Sequence, residues 1–447
     1  MGSYLALTDD DRSEMLAALG IAEVDELFAA IPEQVRIKDL KLPPGLSEME
    51  VSRKMAALAT ENRIFPVIFR GAGAYKHYIP AAVKRITSNE TFITAYTPYQ
   101  AEISQGILQS IFEYQSMICS LTGMDISNAS VYDGGSAAAE AMNMCRDRNR
   151  EEIFVSACAH PQVIQTIKTY STGYGIPVTV IPKAEDGRTD IDALNKLLEA
   201  SGKNAAGVYL QSPNFFGLIE DVPAFAKTTH AAGALLVAGV NPISLGLLES
   251  PGAQGADIAV GEGQPLGLPL GFGGPYLGFM ACRKALMRKL PGRIIGETTD
   301  TKGERAFVLT LQAREQHIRR EKASSNICSN EAHCALTAAV YLAVMGEEGF
   351  TETARQCHAK AVYAADQISK VPGFSLVYNG HFFHEFVTRC PDTAQTLGLL
   401  EKHGILGGYP LSDKELLWCV TEANTKEDID AMVSILMGNE KPRGEAK

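Results

Sequence analysis

The chain has 447 residues, of which 46% are hydrophobic and 21% are charged, a balance typical of globular proteins and unlike that of disordered ones. Its formal net charge of −11 predicts a surface that repels nucleic acid and anionic membranes, so we expect neither as a partner. The nine cysteines form no C-x-x-C pair and mostly lie in apolar stretches, which predicts buried, reduced thiols and no metal site. The sequence shows no signal-peptide pattern and no apolar run of about 18 residues, which favours a cytoplasmic protein.

The N-terminal region has a charged, helical pattern and predicts an arm or wrapping segment, residues 1–90, without a core of its own. Ser47 followed by Glu50 is a capping-box signature that opens one of its helices. A polar, aromatic loop at 94–100 comes next. After it, apolar residues recur at every third or fourth position until Gly123, which predicts a long helix that ends at this glycine.

The central region alternates short apolar runs with helical segments. Several runs are apolar throughout, as strands buried on both faces of a parallel sheet must be. The runs cover residues 152–156, 177–181, 207–210, 234–240, 257–260 and 276–281. We therefore predict an α/β fold with a large, mostly parallel, doubly wound sheet domain at 91–325. A helix ending at Gly349 and three later strand candidates predict a smaller α+β domain at 326–447.

Several segments could carry chemistry, and each also has a purely structural interpretation. Gly134-Gly135-Ser136 opens a helix and either directs N–H groups at an anion such as a phosphate or forms a simple turn. His160 follows a strand at the sheet edge where ligands bind in such folds, or it only caps a helix. The glycine-rich stretch 255–278 predicts a shaped wall or subunit contact rather than a linker. The charged run 314–322, on composition alone, favours a solvated helix face.

Taken together, these segments resemble the glycine decarboxylase family, the P-protein of the glycine cleavage system. The resemblance is carried, in the family's order, by residues 94–106, 125–129, 261–275 and 314–328. The chain length is similar to that of the separate α subunit found where this protein is split in two. The resemblance implies a fold-type I pyridoxal-phosphate transferase-like architecture with a large sheet domain and a small C-terminal domain.

Two residues that this cofactor needs are missing at the matching positions. Pyridoxal-phosphate enzymes of this type need a lysine for the Schiff base and a carboxylate beside the pyridine nitrogen. The resemblance places the lysine position at Gln264 and the carboxylate position at Ala238, and neither side chain can do that chemistry. We therefore expect no covalent cofactor on this chain and only a vestigial site, with His160 the remnant of a ring-stacking residue. Its members are Gln264, Ala238, His160, Gly134, Gly135 and Ser136.

The resemblance implies the half of the decarboxylase that does not bear the cofactor. A homologous, lysine-bearing subunit 2 would hold pyridoxal phosphate, and the complex would decarboxylate glycine and pass the aminomethyl group to the lipoyl group of the H-protein. The proline-fixed loop at 94–100 offers two phenols, a hydroxyl and an amide, which are suited to holding an amino acid's carboxylate. The charged run at 314–322 offers groups suited to a carboxylate on glycine, on the H-protein or on the other subunit. The candidate residues are Thr94, Tyr96, Tyr99, Gln100, His317, Arg319 and Arg320.

Two other interpretations stay open at this point. The chain could be a non-catalytic, homodimeric pseudoenzyme with a regulatory or binding role. It could also be an independent pyridoxal-phosphate enzyme, such as an aminotransferase, that uses another lysine. Lys284 and Lys322 are the two lysines considered, and either would need a different site geometry.

Overall fold

A computed structural model describes residues 6–37, 40–323, 325, 327 and 331–439. The chain divides into two compact units, residues 1–64 and 65–447. The first unit contains α1 (Asp9–Leu19) and α2 (Glu48–Thr60), and neither helix has a buried residue. The predicted capping box opens α2, because the Ser47 side chain accepts from the Glu50 N–H and the Glu50 side chain accepts from the Ser47 N–H.

The second unit contains the remaining helices and strands. The helices are α3 (Ala81–Thr87), α4 (Glu90–Ile93), α5 (Gln105–Thr122), α6 (Gly134–Cys145), α7 (Pro161–Tyr174), α8 (Ile191–Ser201), α9 (Val222–Ala231), α10 (Gln316–Arg319), α11 (Ala332–Ile368), α12 (Thr393–Lys402) and α13 (Lys426–Leu436). The strands are β1 (Val67–Ile68), β2 (Ile126–Ser127), β3 (Glu152–Ser156), β4 (Val178–Ile181), β5 (Ala205–Gln211), β6 (Leu235–Gly239), β7 (Ile258–Glu262), β8 (Gly278–Cys282), β9 (Ile294–Thr299), β10 (Arg305–Thr310), β11 (Ser375–Leu376), β12 (Glu385–Arg389), β13 (Ile405–Leu406), β14 (Tyr409–Ser412) and β15 (Glu415–Cys419). None of the described helices is long and apolar enough to cross a membrane.

A seven-stranded sheet in the order β2-β8-β7-β6-β5-β3-β4 forms the centre of this unit. The pairs from β7 to β4 are parallel, whereas β8 pairs antiparallel with both β7 and β2. One core contains α6 and α7 residues packed on the sheet, and the other contains residues of α8, α9 and α11. Helices therefore cover both faces, and the predicted doubly wound α/β fold is confirmed.

The smaller sheet has the order β11-β12-β15-β14, and all its pairs are antiparallel. Its core includes Trp418, whose indole N–H donates to the Thr388 hydroxyl at 2.8 Å. The predicted helix that ends at Gly349 is longer in the structure: α11 continues to Ile368 after an interruption at Gly346, where φ is +60°. It continues because Phe350 and several later residues are apolar and are buried, the first of them in a core of the large sheet and the later ones in the core of the small sheet.

The domain limits differ from the predicted ones at the first boundary. The first unit ends at residue 64 and not at residue 90, because β1 pairs in parallel with β13 and Val83 of α3 lies in the core of the large sheet. Residues 65–447 form one compact unit that contains the seven-stranded and the four-stranded sheet. The division of this unit at residue 325 stays a prediction.

Candidate functional site

A cavity of about 620 Å³ lies at the carboxyl edge of the parallel strands. Its wall is made by the ends of β5, β6 and β7, the first turns of α6 and α7, and residues 72–75. Ligands of doubly wound sheets bind at this edge, so the position matches that of a cofactor site. The lining includes the polar or aromatic side chains of Tyr75, Asp133, His160, Tyr209, Glu262 and Glu385.

The N-terminus of α6 faces this cavity, but carboxylates already bind two of its N–H groups. The Asp133 carboxylate accepts from the Ser136 N–H at 2.7 Å, and the Glu262 carboxylate accepts from the Gly134 N–H at 3.0 Å. Glycine is needed at 134 because a Cβ there would lie 2.8 Å from the Glu262 nitrogen. The predicted anion-binding turn, Gly134-Gly135-Ser136, therefore binds acidic groups of the chain itself.

Two carboxyl groups, the buried Glu385 and the partly buried Glu262, give the cavity an acidic character. Glu262 also accepts from the Gln264 and Leu277 N–H groups, yet burial raises its pKa to about 7. Glu385 accepts from the Ala72 N–H at 2.7 Å and from the Tyr75 hydroxyl at 2.8 Å. Burial raises the pKa of Glu385 to about 7 as well. Of the described residues that line the cavity, none is a lysine or an arginine.

Gln264, the position matched to the Schiff-base lysine, has a structural role. Its side chain is buried, accepts from the Tyr75 N–H at 2.9 Å, and donates to the carbonyls of Tyr75 at 2.9 Å and Leu268 at 2.8 Å. The amide therefore joins the loop after β7 to the segment 72–78 and does not line the cavity.

His160 lines the cavity and also caps α7, so the capping interpretation is confirmed and a role in ligand binding stays a prediction. Its Nδ1 accepts from the Gln162 N–H at 3.1 Å, and its Nε2 lies 2.9 Å from the Ala72 carbonyl oxygen. The ring packs edge-on against Phe215 at a centroid distance of 5.0 Å. Burial lowers the pKa of His160, which favours the neutral ring that these two contacts require.

Ala238 lies elsewhere than the resemblance implied. It lines a second, smaller cavity of about 220 Å³, whereas its neighbour Gly239 lines the large one. Successive residues of a strand point to opposite faces, so only one of the two can face the large cavity fully. A Cβ at Gly239 would overlap the Tyr209 hydroxyl. The matched carboxylate position is therefore not part of this cavity's wall.

The residues around the large cavity do not fit pyridoxal phosphate. The described wall offers no amine for an imine, and the helix N-terminus that could hold a phosphate is bonded to Glu262 and Asp133. A phosphate there would face two carboxylates. Lys284 and Lys322, the alternative lysines, are both exposed and line neither cavity.

The loop residues Thr94, Tyr96, Tyr99 and Gln100 are all exposed, and none lines the large cavity. The Thr94 hydroxyl donates to the Glu90 carbonyl at 2.6 Å, and 84% of Tyr96 is exposed. Tyr99 has a specific partner: its hydroxyl accepts from the Arg293 guanidinium at 2.8 Å. Tyr96 is therefore largely open to solvent, the Tyr99 hydroxyl is bonded to Arg293, and neither phenol lines the chain's own cavity.

The charged run divides into a buried and an exposed part. The Arg314 guanidinium is largely buried and donates to the Leu290 and Gly292 carbonyls, so the solvated-face interpretation is wrong for this residue. His317, Arg319 and Arg320 are exposed. The structure brings His317 next to the aromatic loop, with its ring centroid 6.3 Å from that of Tyr99. The last part of the 314–328 segment, including Cys328, lies partly outside the described residues.

Sequence reasoning missed three charged residues. Glu262 ends β7 at the carboxyl edge of the sheet, and this position was a usable signal. Glu385 and Arg293 had no such signal, because their importance depends on contacts with residues far away in the chain. Only 7% of Arg293 is exposed, and its guanidinium carbon lies 5.0 Å from the centroid of the Tyr99 ring.

A cluster of three polar side chains, His77, Cys357 of α11 and Glu422 after β15, lies apart from the residues described above. His77 Nδ1 lies 2.7 Å from a Glu422 carboxylate oxygen, and the Cys357 thiol donates to the same oxygen at 3.2 Å. Burial, the largest single effect, raises the pKa of Glu422, but the hydrogen bond and charge of His77, the Tyr78 N–H and the Cys357 thiol together hold this pKa below its usual value. These three side chains are possible metal ligands by type, yet each already has a hydrogen-bond partner within the group.

The comparisons with known proteins agree on one family. The family model for the glycine cleavage system P-protein matches residues 2–436. The chain is 51% identical to the probable glycine dehydrogenase (decarboxylating) subunit 1 of Moorella thermoacetica, over 98% of this chain and 99% of the relative. It is 50% identical to the protein of the same name from Desulfitobacterium hafniense, over 97% and 98%.

Solved structures give the same result. A crystal structure of glycine decarboxylase (P-protein) of the glycine cleavage system, in inhibitor-bound form, is 40% identical with a TM-score of 0.92, over 98% of this chain and 100% of that chain. Mouse CSAD in apo form is 16% identical with a TM-score of 0.68, over 94% and 92%, and shows the fold alone. The neighbours are fold-type I pyridoxal-phosphate enzymes, which confirms the predicted fold class. The chain belongs to the glycine cleavage system P-protein family.

Proposed function

We propose that this chain is the subunit of a two-subunit glycine decarboxylase that does not hold the cofactor. A homologous, lysine-bearing subunit would hold pyridoxal phosphate, and the complex would decarboxylate glycine and transfer the aminomethyl group to the lipoyl group of the H-protein. The observation that carries the proposal is the binding of Glu262 to the Gly134 N–H, in a cavity whose described wall has no lysine. The relatives named subunit 1 support the need for a partner subunit.

The first experiment tests the absence of a covalent cofactor. The chain is incubated with excess pyridoxal phosphate, reduced with borohydride and measured by intact mass, with the lysine-bearing subunit as the positive control. We expect no stoichiometric adduct on this chain and one on its partner. Glycine–bicarbonate exchange should appear only after the two subunits are mixed. A single fully modified lysine on this chain, or exchange by the chain alone, would contradict the proposal.

The aromatic loop is proposed to work in the site of the complex. Tyr96 and Tyr99 are exposed and do not line the chain's own cavity, as expected of groups that complete a site on another subunit. Tyr96→Phe and Tyr99→Phe should each lower decarboxylation while the complex still assembles. Tyr174→Phe, another exposed tyrosine, is the matched control. Wild-type turnover in both loop variants would exclude this role.

The exposed arginines of the charged run are proposed to meet an acidic partner, since their charge opposes the net charge of the chain. The double variant Arg319→Ala, Arg320→Ala is assembled with the partner subunit, and glycine–bicarbonate exchange is measured with H-protein and with free lipoate. A steeper loss with H-protein indicates docking of that protein, and equal losses indicate glycine or the subunit seam. The control is Arg148→Ala, Arg288→Ala, which removes two other exposed arginines. No loss in the test variant would return the run to a solvated surface.

A further inference from the structure

We propose that Arg293 binds the carboxylate of the amino-acid substrate in the assembled enzyme, together with Tyr99 and His317. The inference deepens the proposed function and rests on it. It concerns a face of this chain that is separate from the large cavity, because none of the three residues lines that cavity.

Among the described residues, Arg293 is a buried cation without an acidic partner. Only 7% of the residue is exposed, and none of the ion pairs among the described residues includes it. Its Nη2 donates to the neutral Tyr99 hydroxyl, while its buried Nε has no hydrogen-bond partner. Burying a charge costs several kcal/mol unless an opposite charge is near, and a tyrosine offsets only part of this. The missing partner is therefore an anion.

Hydrogen bonds fix the backbone from which this guanidinium extends. The Arg293 carbonyl accepts from the Ala129 N–H at 2.9 Å, and the preceding Gly292 carbonyl accepts from the buried guanidinium of Arg314. Two residues after Arg293, the backbone exchanges two hydrogen bonds of 3.0 Å with the Gln115 side chain. The backbone at Arg293 is therefore fixed before any ligand arrives, and the Tyr99 hydroxyl restrains the guanidinium, which lowers the entropy lost on binding.

The neighbouring groups suit a carboxylate. Because the Tyr99 oxygen accepts from Arg293, its own O–H is left to donate, and 55% of Tyr99 is exposed. His317 is exposed, its ring lies edge-on to Tyr99, and it can donate a second hydrogen bond. A guanidinium fork binds the two oxygens of a carboxylate side by side. Glycine carries such a carboxylate, and Tyr99 and His317 are both exposed and so can be reached from outside this chain.

The test compares glycine with methylamine, which keeps the amine and lacks the carboxylate. Calorimetry measures binding of each to the assembled complex made with wild-type chain, Arg293→Gln, Arg293→Lys or the control Arg288→Gln at an exposed arginine. Arg293→Gln should weaken glycine binding by about tenfold to a hundredfold and leave methylamine binding unchanged, since a charge-assisted hydrogen bond is lost. Arg293→Lys should retain part of the affinity because it keeps the charge without the fork. Inorganic phosphate is titrated as well, and stronger competition by phosphate than by acetate would overturn the assignment to a carboxylate.

The outcomes separate this inference from the proposed function. Glycine binding that stays within twofold of wild type in Arg293→Gln refutes the inference while the function stands. Equal losses for glycine and methylamine also refute it, because they indicate a structural role. If Arg293→Gln does not assemble, Arg293→Lys decides the question by the same comparison. A wild-type complex that binds no glycine at all refutes the proposed function itself.

Discussion

Glu385 should make the stability of the chain depend on pH, and Glu385→Gln should remove that dependence. Glu385 begins β12, is buried, and accepts from the Ala72 N–H and the Tyr75 hydroxyl. A glutamine can keep the Ala72 bond through its oxygen, and its amide N–H can donate to the Tyr75 oxygen after the hydroxyl turns. The substitution therefore removes the titration and keeps the packing.

The size of the effect follows from the pKa. Burial raises the pKa of Glu385 from 4.5 to about 7, so between these values the folded state binds more protons than the unfolded state. Stability from this group is complete below pH 4.5 and is lost as the pH rises through 7. A difference of about 2.5 pH units corresponds to about 3 kcal/mol of the free energy of unfolding. Glu262, whose pKa is also raised to about 7, adds the same slope to both proteins and cancels in the comparison.

The assay is urea unfolding at pH 4.5 and pH 8, followed by the fluorescence of Trp418, the chain's one tryptophan. Trp418 pairs with the residue after Glu385 in the small sheet, so it reports on the strand that carries the change. Relative to wild type, Glu385→Gln should gain about 3 kcal/mol between the two pH values. Glu347→Gln, at an exposed position, should follow wild type. Parallel pH profiles for wild type and Glu385→Gln would refute the reasoning.

Three further outcomes follow from close contacts and burial. Gln264→Ala should lower the free energy of unfolding by about 3 kcal/mol, since it leaves the backbone N–H and carbonyl of Tyr75 without their partner; an unchanged urea midpoint would contradict this. Gly217→Ala should prevent folding, because a Cβ there would overlap the Glu385 carbonyl and φ is +86°. Gly175 has open space around it, so Gly175→Ala should lower the free energy of unfolding by only about 1 kcal/mol. Equal effects of the two substitutions on the melting temperature would refute this steric argument. Burial raises the pKa of five cysteine thiols to about 11 or 12, so at pH 8 a thiol reagent should modify them only slowly in the native protein. Peptide mapping measures the modification, and modification of these cysteines within minutes would contradict the prediction. These are Cys119, Cys145, Cys158, Cys282 and Cys334.

The sequence by itself determined the local elements and the fold class. Ser47 with Glu50 specified the start of α2, and Gly123, with φ of +67°, specified the end of α5, because these signals act within one turn of helix. The apolar runs specified strands buried on both faces, since only such strands need no polar side. Gln264 at the matched lysine position led to the expectation that this chain holds no covalent cofactor, and that expectation stays a prediction.

Only the tertiary structure decided which contacts the residues at the matched positions make. It showed that Gln264 joins two chain segments, that Glu262 binds the helix N-terminus, and that Ala238 belongs to another cavity. It also placed Arg293 beneath Tyr99 and next to His317. These arrangements depend on burial and on contacts between residues far apart in the chain, and neither quantity can be read from local periodicity or composition. Local patterns fix which element forms, whereas charge, pKa and partners are set by the environment into which the whole fold brings each side chain.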